Sequence, residues 1–140
     1  MRAIVTETFG GPEVLSLTEL TDPVSGPGEV LIEVVASGVN RADLMQRQGL
    51  YPPPRGVTDI LGLEVSGRIA AVGEGVDGWQ PGDACVALLA GGGYATVAAV
   101  PAGQVLRPPH GLDLVTAAGL LEVAATVTSS APGRHHSSTC

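Results

Sequence analysis

The stretch Gly62-Leu63-Glu64-Val65-Ser66-Gly67-Arg68-Ile69-Ala70-Ala71-Val72-Gly73 decides the reading of the fold. From Glu64 to Val72 it is strand-like, with Gly67 inside it. A glycine within a strand marks a bulge, a sharp bend or another backbone close by. The same texture extends on both sides. Upstream, Val30–Val35 is apolar except for Glu33, which predicts a strand covered on both faces. Arg2–Glu7 and Val14–Leu20 flank the turn Gly10-Gly11-Pro12 and predict an opening β-hairpin. Downstream, Pro81-Gly82-Asp83 precedes a strand over Ala84–Leu89. Gly91-Gly92-Gly93 precedes another over Tyr94–Val100, and Gln104–Arg107 is a last short strand stopped by Pro108-Pro109.

Two segments break the strand pattern. Asn40–Gln48 predicts a short helix, with Asn40 as N-cap, Asp43 in the first turn and Gly49 just past the end. Pro52-Pro53-Pro54 then forces an extended loop. From Asp113 the apolar residues Leu114, Ala117, Ala118, Leu121 and Ala125 follow helical spacing, with Asp113 as N-cap. The fold class is mainly β with short helices: a small, strongly bent, largely antiparallel barrel or sandwich. Residues 128–140 are polar and aperiodic and read as a flexible tail.

Composition agrees. Twenty glycines and eleven prolines punctuate 140 residues, which suits one turn-rich β domain and not a helix bundle. Seven basic residues against fourteen acidic ones give a net charge of −7. That balance excludes a basic nucleic-acid surface and disfavours anionic membranes. No apolar run is long enough to span a bilayer, and the first residues do not read as a signal peptide. Two cysteines, Cys85 and Cys140, make no disulfide framework, so the expected setting is the cytoplasm.

Three segments together resemble the medium-chain dehydrogenase/reductase superfamily, in its zinc-free NADPH:quinone oxidoreductase branch, related to zeta-crystallin. They are Gly38 through Pro52, Gly62 through Gly73, and Gly78-Trp79-Gln80-Pro81-Gly82-Asp83. The second is the G-x-E-x-x-G-x-x-x-x-V-G pattern of that family, and Gly10-Gly11-Pro12-Glu13-Val14-Leu15 adds to the likeness. The resemblance implies a GroES-like bent β-barrel over residues 1–127, ending in the helix that leads out of the barrel. It also implies a Rossmann domain beyond, which is expected to be absent here. No G-x-G-x-x-G opens a helix: Gly73-Glu74-Gly75 runs into a loop, and Gly91-Gly92-Gly93 into a strand. The tail from residue 128 departs from the family, as a frameshifted or truncated product would.

The resemblance also nominates residues. Zinc alcohol dehydrogenases of the superfamily place a cysteine ligand where this chain has Asn40 and a histidine where it has Leu63. Neither replacement ligates zinc, so no metal is expected. Asn40 is then expected at the cleft near the nicotinamide ribose, as a catalytic and cofactor-binding residue. Tyr51 is expected to donate a hydrogen bond to a quinone oxygen as negative charge develops there. Asp43 and Met45 belong to the expected substrate pocket, Met45 standing where some relatives carry a second tyrosine. Thr126 matches a position that reaches the cofactor. Glu64, the signature acid, is read as structural and partnered by Arg68 or a backbone donor. Cys85 reads as a buried hydrophobe, and His110, His135, His136 and Cys140 as residues of a loop and a tail.

The family reaction is hydride transfer from NADPH to a quinone, an enone or a related acceptor. A chain without a dinucleotide-binding half is expected to be nearly inactive alone. The rival expectation is a non-enzymatic scaffold or binding fragment. The apolar stripe of helix 113–127, left without a Rossmann partner, would be exposed and would support a homodimer.

Overall fold

The computed structural model describes residues 1–121 and residue 124. Strand β1 (Arg2–Thr6) pairs antiparallel with β2 (Leu15–Glu19), with Arg2 opposite Glu19 and Thr6 opposite Leu15. A 3-10 turn over Pro12–Val14 lies within the connection. The remaining strands are β3 (Glu29–Ser37), β4 (Glu64–Val72), β5 (Ala84–Leu88), β6 (Val97–Pro101) and β7 (Val105–Leu106). They form one sheet in the order β6-β3-β4-β5-β7, antiparallel at every pairing. Helix α1 (Arg41–Arg47) sits between β3 and β4 in the chain, and α2 (Leu114–Ala117) follows β7.

Side-chain alternation sets the core. On β3 the side chains of Val30 and Ile32 are fully buried, while Glu33 points out. Val30 lies opposite Val72 and Val100, and Ile32 opposite Ile69 and Ala98. Val65, Cys85, Ala87 and Val105 complete the cluster. Each fully buried Val or Ile side chain contributes about 1.5–3 kcal/mol of transfer free energy.

The bend comes from irregular pairing. The β3–β4 register shifts between Leu31 and Ile32 and again between Val34 and Ala36. Gly67 lies opposite Val34, and a Cβ there would come within 2.8 Å of Ile32 Cγ2 and strike the Glu33 carbonyl. Only glycine lets β3 press this closely on β4. The opening hairpin joins the sheet through residues 94–96: Ile4 N–H donates to the Tyr94 carbonyl (2.8 Å), and Thr96 N–H to that of Arg2 (2.9 Å). The result is a bent half-barrel, mainly β, as the sequence leads one to expect.

Element bounds follow the expected ones closely, with three differences. The outer face of β3 is not covered, since Val35 is 51% exposed. The strand expected from Tyr94 begins at Val97, because residues 94–96 are occupied by β1 and by a crossing described below. The helix expected over 113–127 is α-helical at Leu114–Ala117, turns through residues 118–120, and is helical again at Leu121. Gly119 stands in that turn, and glycine weakens a helix interior by about 1 kcal/mol relative to alanine. Asp113 caps this helix as expected, accepting from Thr116 N–H at 2.8 Å.

The expected exposed stripe also needs correction. Ala117 and Ala118 are buried, and the helix packs on β3, β4 and β5; the large apolar residues exposed in this segment are Val115 and Leu120. Ala125, Thr126 and the tail of residues 128–140 lie outside the described residues. No described helix is long and apolar enough to cross a membrane.

Candidate functional site

Helix α1 organises the site. Asn40 takes its N-cap position in extended backbone. The Asn40 backbone N–H donates to Asp43 Oδ2 at 2.8 Å, and the Asn40 carbonyl accepts from Asp43 N–H at 3.0 Å. The carboxylate of Asp43 thus serves the helix start as an acidic first-turn residue does. At the other end Gly49 has φ of +80°, the left-handed geometry that closes helices. Its N–H donates to the Gln46 carbonyl at 3.0 Å.

Asn40 is held a second time through its side chain. Its Nδ2 donates to Glu64 Oε1 at 3.0 Å, at the first residue of β4. Glu64 is only 1% exposed, and the room for its carboxyl comes from Gly38. A Cβ on Gly38 would lie 2.7 Å from both Glu64 Cγ and Cδ. Glu64 thus accepts from Asn40, and Arg68 donates to the Gly82 carbonyl at 3.1 Å.

A third partner comes from a distant segment. Tyr94 Oη donates to Asp43 Oδ2 at 2.8 Å, across 51 residues of sequence. Asp43 is 2% exposed, and its Oδ1 has no partner among the described residues. Burial pushes the Tyr94 phenol well above the ordinary tyrosine range; the bond to Asp43 and its negative charge push the same way, and Arg47 offsets part of this. Tyr94 is held in place by a crossing of two backbones. Tyr94 N–H donates to the Leu61 carbonyl at 2.8 Å, and Gly93 N–H to that of Gly62 at 3.1 Å. Gly62 has φ of +108°, and a Cβ there would lie 2.6 Å from Gly93 Cα and Tyr94 N. Gly93, the last of Gly91-Gly92-Gly93, thus serves a close backbone approach to Gly62.

The structure joins Asn40 and Asp43 in one network and adds Glu64 and Tyr94 to it. Tyr51 stands apart. It follows α1 and is 47% exposed, on a cleft of about 270 Å³. Phe9, Gln46, Gly49, Pro52, Pro53 and Asp59 share that cleft. The Phe9 ring packs where a Gly49 Cβ would be, with Cγ and Cδ2 at 2.9 Å. Asn40 and Tyr51 flank a seven-residue helix, which spans about 10 Å at 1.5 Å per residue. Met45 is half-buried on α1, and its carbonyl accepts from Leu50 N–H at 2.9 Å. A larger cleft of about 390 Å³, lined by Val57, Leu89, Ala99 and Gln104 among others, contains none of these residues.

Sequence reasoning missed Tyr94 as a site residue, because nothing in its spacing ties it to Asp43. Cys85 is fully buried in the core, as expected, and burial pushes its thiol up to about 11, aided by the charge of Asp83. Among the described residues no three of His, Cys, Asp and Glu converge as metal ligands would.

Comparison with known proteins places this geometry. The family model for the alcohol dehydrogenase GroES-like domain matches residues 26–110. The synaptic vesicle membrane protein VAT-1 homolog of Rattus norvegicus is 39% identical over 125 residues, covering 86% of this chain and 30% of that protein. The quinone oxidoreductase of Lama guanicoe is 38% identical over 122 residues, covering 86% of this chain and 37% of that protein. The crystal structure of Escherichia coli quinone oxidoreductase complexed with NADPH superposes with a TM-score of 0.82 at 32% identity, over 92% of this chain and 40% of that one. The chain thus spans about a third of the length of these curated relatives.

Proposed function

We propose a function from one premise: this chain belongs to the alcohol dehydrogenase GroES-like domain family of the medium-chain dehydrogenase/reductase superfamily. In our reading it is the acceptor-binding part of an NADPH-dependent quinone oxidoreductase, working in the cytoplasm without zinc. The observation that carries this reading is the double anchoring of Asn40, by Asp43 on its backbone and Glu64 on its side chain. A rigid amide at the head of α1 is what placement of one end of a flat cofactor requires.

The dinucleotide as a whole does not fit the described residues. A pyrophosphate needs free backbone N–H groups at a helix N-terminus. The start of α1 carries the Asp43 carboxylate and that of α2 carries Asp113, each bonded to a backbone N–H. Both would repel phosphate. The nicotinamide end alone fits, at Asn40.

NADPH, when held by a complete enzyme, supplies the hydride. The residues of this chain supply position. Asn40 orients the nicotinamide side. The Tyr51 hydroxyl donates to the acceptor oxygen, where charge develops, and the Phe9–Tyr51 cleft gives a flat ring an apolar wall. Glu7 and Asp59 also line that cleft, which disfavours an anionic acceptor and suits a neutral quinone or enone. Asp43 acts from beneath the surface; Met45 does not line the Phe9–Tyr51 cleft and is given no part in it. Thr126 belongs to the same reading as a cofactor contact. We take residues 1–127 as the domain and residues 128–140 as a tail.

Calorimetric titration of the folded chain with NADPH tests the division of labour. No binding at micromolar concentrations is expected, and micromolar binding would overturn it. Fusion to the dinucleotide-binding half of a quinone oxidoreductase tests the activity. NADPH-dependent quinone reduction is expected, falling about 10²-fold in Tyr51→Phe if the hydroxyl stabilises developing charge. A fusion that binds NADPH yet reduces no quinone would refute the reading. The rival, self-association, rests on exposed Val115 and Leu120, and a monomer by sedimentation equilibrium would remove it.

A further inference from the structure

We propose that Tyr94 is a positioning residue for Asn40, acting through Asp43. The inference rests on the reading that Asn40 orients the cofactor, but its structural content stands on geometry alone. One oxygen, Asp43 Oδ2, receives both the Tyr94 hydroxyl and the Asn40 backbone N–H, each at 2.8 Å. The other oxygen has no partner among the described residues, so these two bonds set which way the carboxylate faces. Asp43 is 2% exposed, so water does not substitute readily for either donor.

Tyr94 can act as a fixed post because its own backbone is fixed. Its N–H is bonded to Leu61 and its carbonyl accepts from Ile4. The preceding Gly93 lies against Gly62, where neither residue has room for a side chain. The position of Asn40 is therefore tied to the bend of the barrel. The Tyr94 hydroxyl is spent on Asp43. Its effect passes through the carboxylate to the Asn40 backbone, while Glu64 holds the side chain independently.

The chain offers an unusually clean readout, since Asn40 is its only asparagine. A sample labelled with ¹⁵N-asparagine gives one backbone signal and one side-chain NH₂ pair. In Tyr94→Phe the Asn40 backbone amide is expected to move upfield. Its hydrogen exchange should quicken about tenfold, as expected when a bond to a charged acceptor weakens. The side-chain NH₂ pair, bonded to Glu64, should move far less. Tyr51→Phe should leave the backbone signal in place. A general loosening would move both Asn40 signals together, and an unmoved backbone amide in a folded Tyr94→Phe chain would overturn the proposal.

If Tyr94→Phe fails to fold, 3-fluorotyrosine in a Tyr51→Phe background labels Tyr94 alone. The more acidic hydroxyl binds Oδ2 harder, so it should hold the carboxylate more firmly and slow exchange of the Asn40 amide, the reverse of Tyr94→Phe. An unchanged amide there refutes the proposal as directly. Neither readout involves NADPH or quinone, so failure of the catalytic reading and failure of this inference are distinguishable.

Discussion

Replacing Gly38 by alanine tests the link between fold and site most severely. Gly38 is buried, and its N–H donates to the Glu64 carbonyl at 3.2 Å. The added methyl would stand 2.7 Å from both Cγ and Cδ of Glu64. Glu64 is 1% exposed, so its side chain has little free volume into which to swing. If the carboxylate is displaced, the bond from Asn40 Nδ2 is lost. A bond to a charged group is worth about 1.5–3 kcal/mol. Overpacking adds about 1–3 kcal/mol. The two overlap, because moving Glu64 relieves the crowding, so the expected cost is about 3 kcal/mol by urea denaturation. That is a large part of the 5–15 kcal/mol a domain usually has. The ¹⁵N-asparagine side-chain pair should shift at the same time. Glu64→Asp shortens the side chain by one methylene and makes room for the methyl. The double variant should therefore be more stable than the sum of the two single effects, by about 1 kcal/mol or more. A Gly38→Ala cost below about 1 kcal/mol, with the Asn40 pair unmoved, would refute the placement of Glu64 against Gly38.

Further outcomes are expected. Gly49→Ala should destabilise the chain by about 1–3 kcal/mol, since left-handed backbone disfavours a Cβ, and should displace the Phe9 ring, read by aromatic proton shifts. Cys85 should stay unmodified by iodoacetamide at pH 8 in the native chain and react once unfolded, as peptide mass spectrometry would show. Its thiol is raised from 9.0 to about 11, so the folded state holds its proton longer. Stability should therefore fall as pH rises from 9.0 to about 11 and lose nothing more from this group above that; the raised Tyr94 phenol acts in the same direction from the ordinary tyrosine value of 10.0 upward, and a flat urea midpoint between pH 9.0 and 11 would contradict both. The Arg107 guanidinium lies 4.4 Å from the Trp79 ring centroid. Arg107→Ala should change the emission of this single tryptophan and cost about 0.5–1 kcal/mol.

Local chemistry made much of the molecule legible. Strand β4 runs over Glu64–Val72, the span its apolar run marks between glycines. Helix α1 begins after Asn40 and ends at a left-handed Gly49, as capping rules require. Those signals lie within a few residues of the elements they control. Where the local pattern misleads, the cause is a residue far away or a neighbouring glycine. The local pattern puts Tyr94 in a strand, yet Gly62 and β1 hold its segment apart from β6. Gly119 interrupts a helix that the spacing of Leu114, Ala117, Ala118 and Leu121 otherwise promises.

The site divides along the same line. Asn40 and Asp43 are three residues apart, and a first-turn acid beside an N-cap is a local pattern that sequence displays. The bond from Asn40 to Glu64 spans 24 residues and that from Tyr94 to Asp43 spans 51. No periodicity encodes such distances. They arise because β3 bulges over Gly67, β4 starts beneath Gly38, and the loop at Gly93 crosses Gly62. Each of these three contacts needs a residue without a side chain. The glycines that a composition count reads as turns are, at these positions, what allows two buried carboxylates to meet one asparagine.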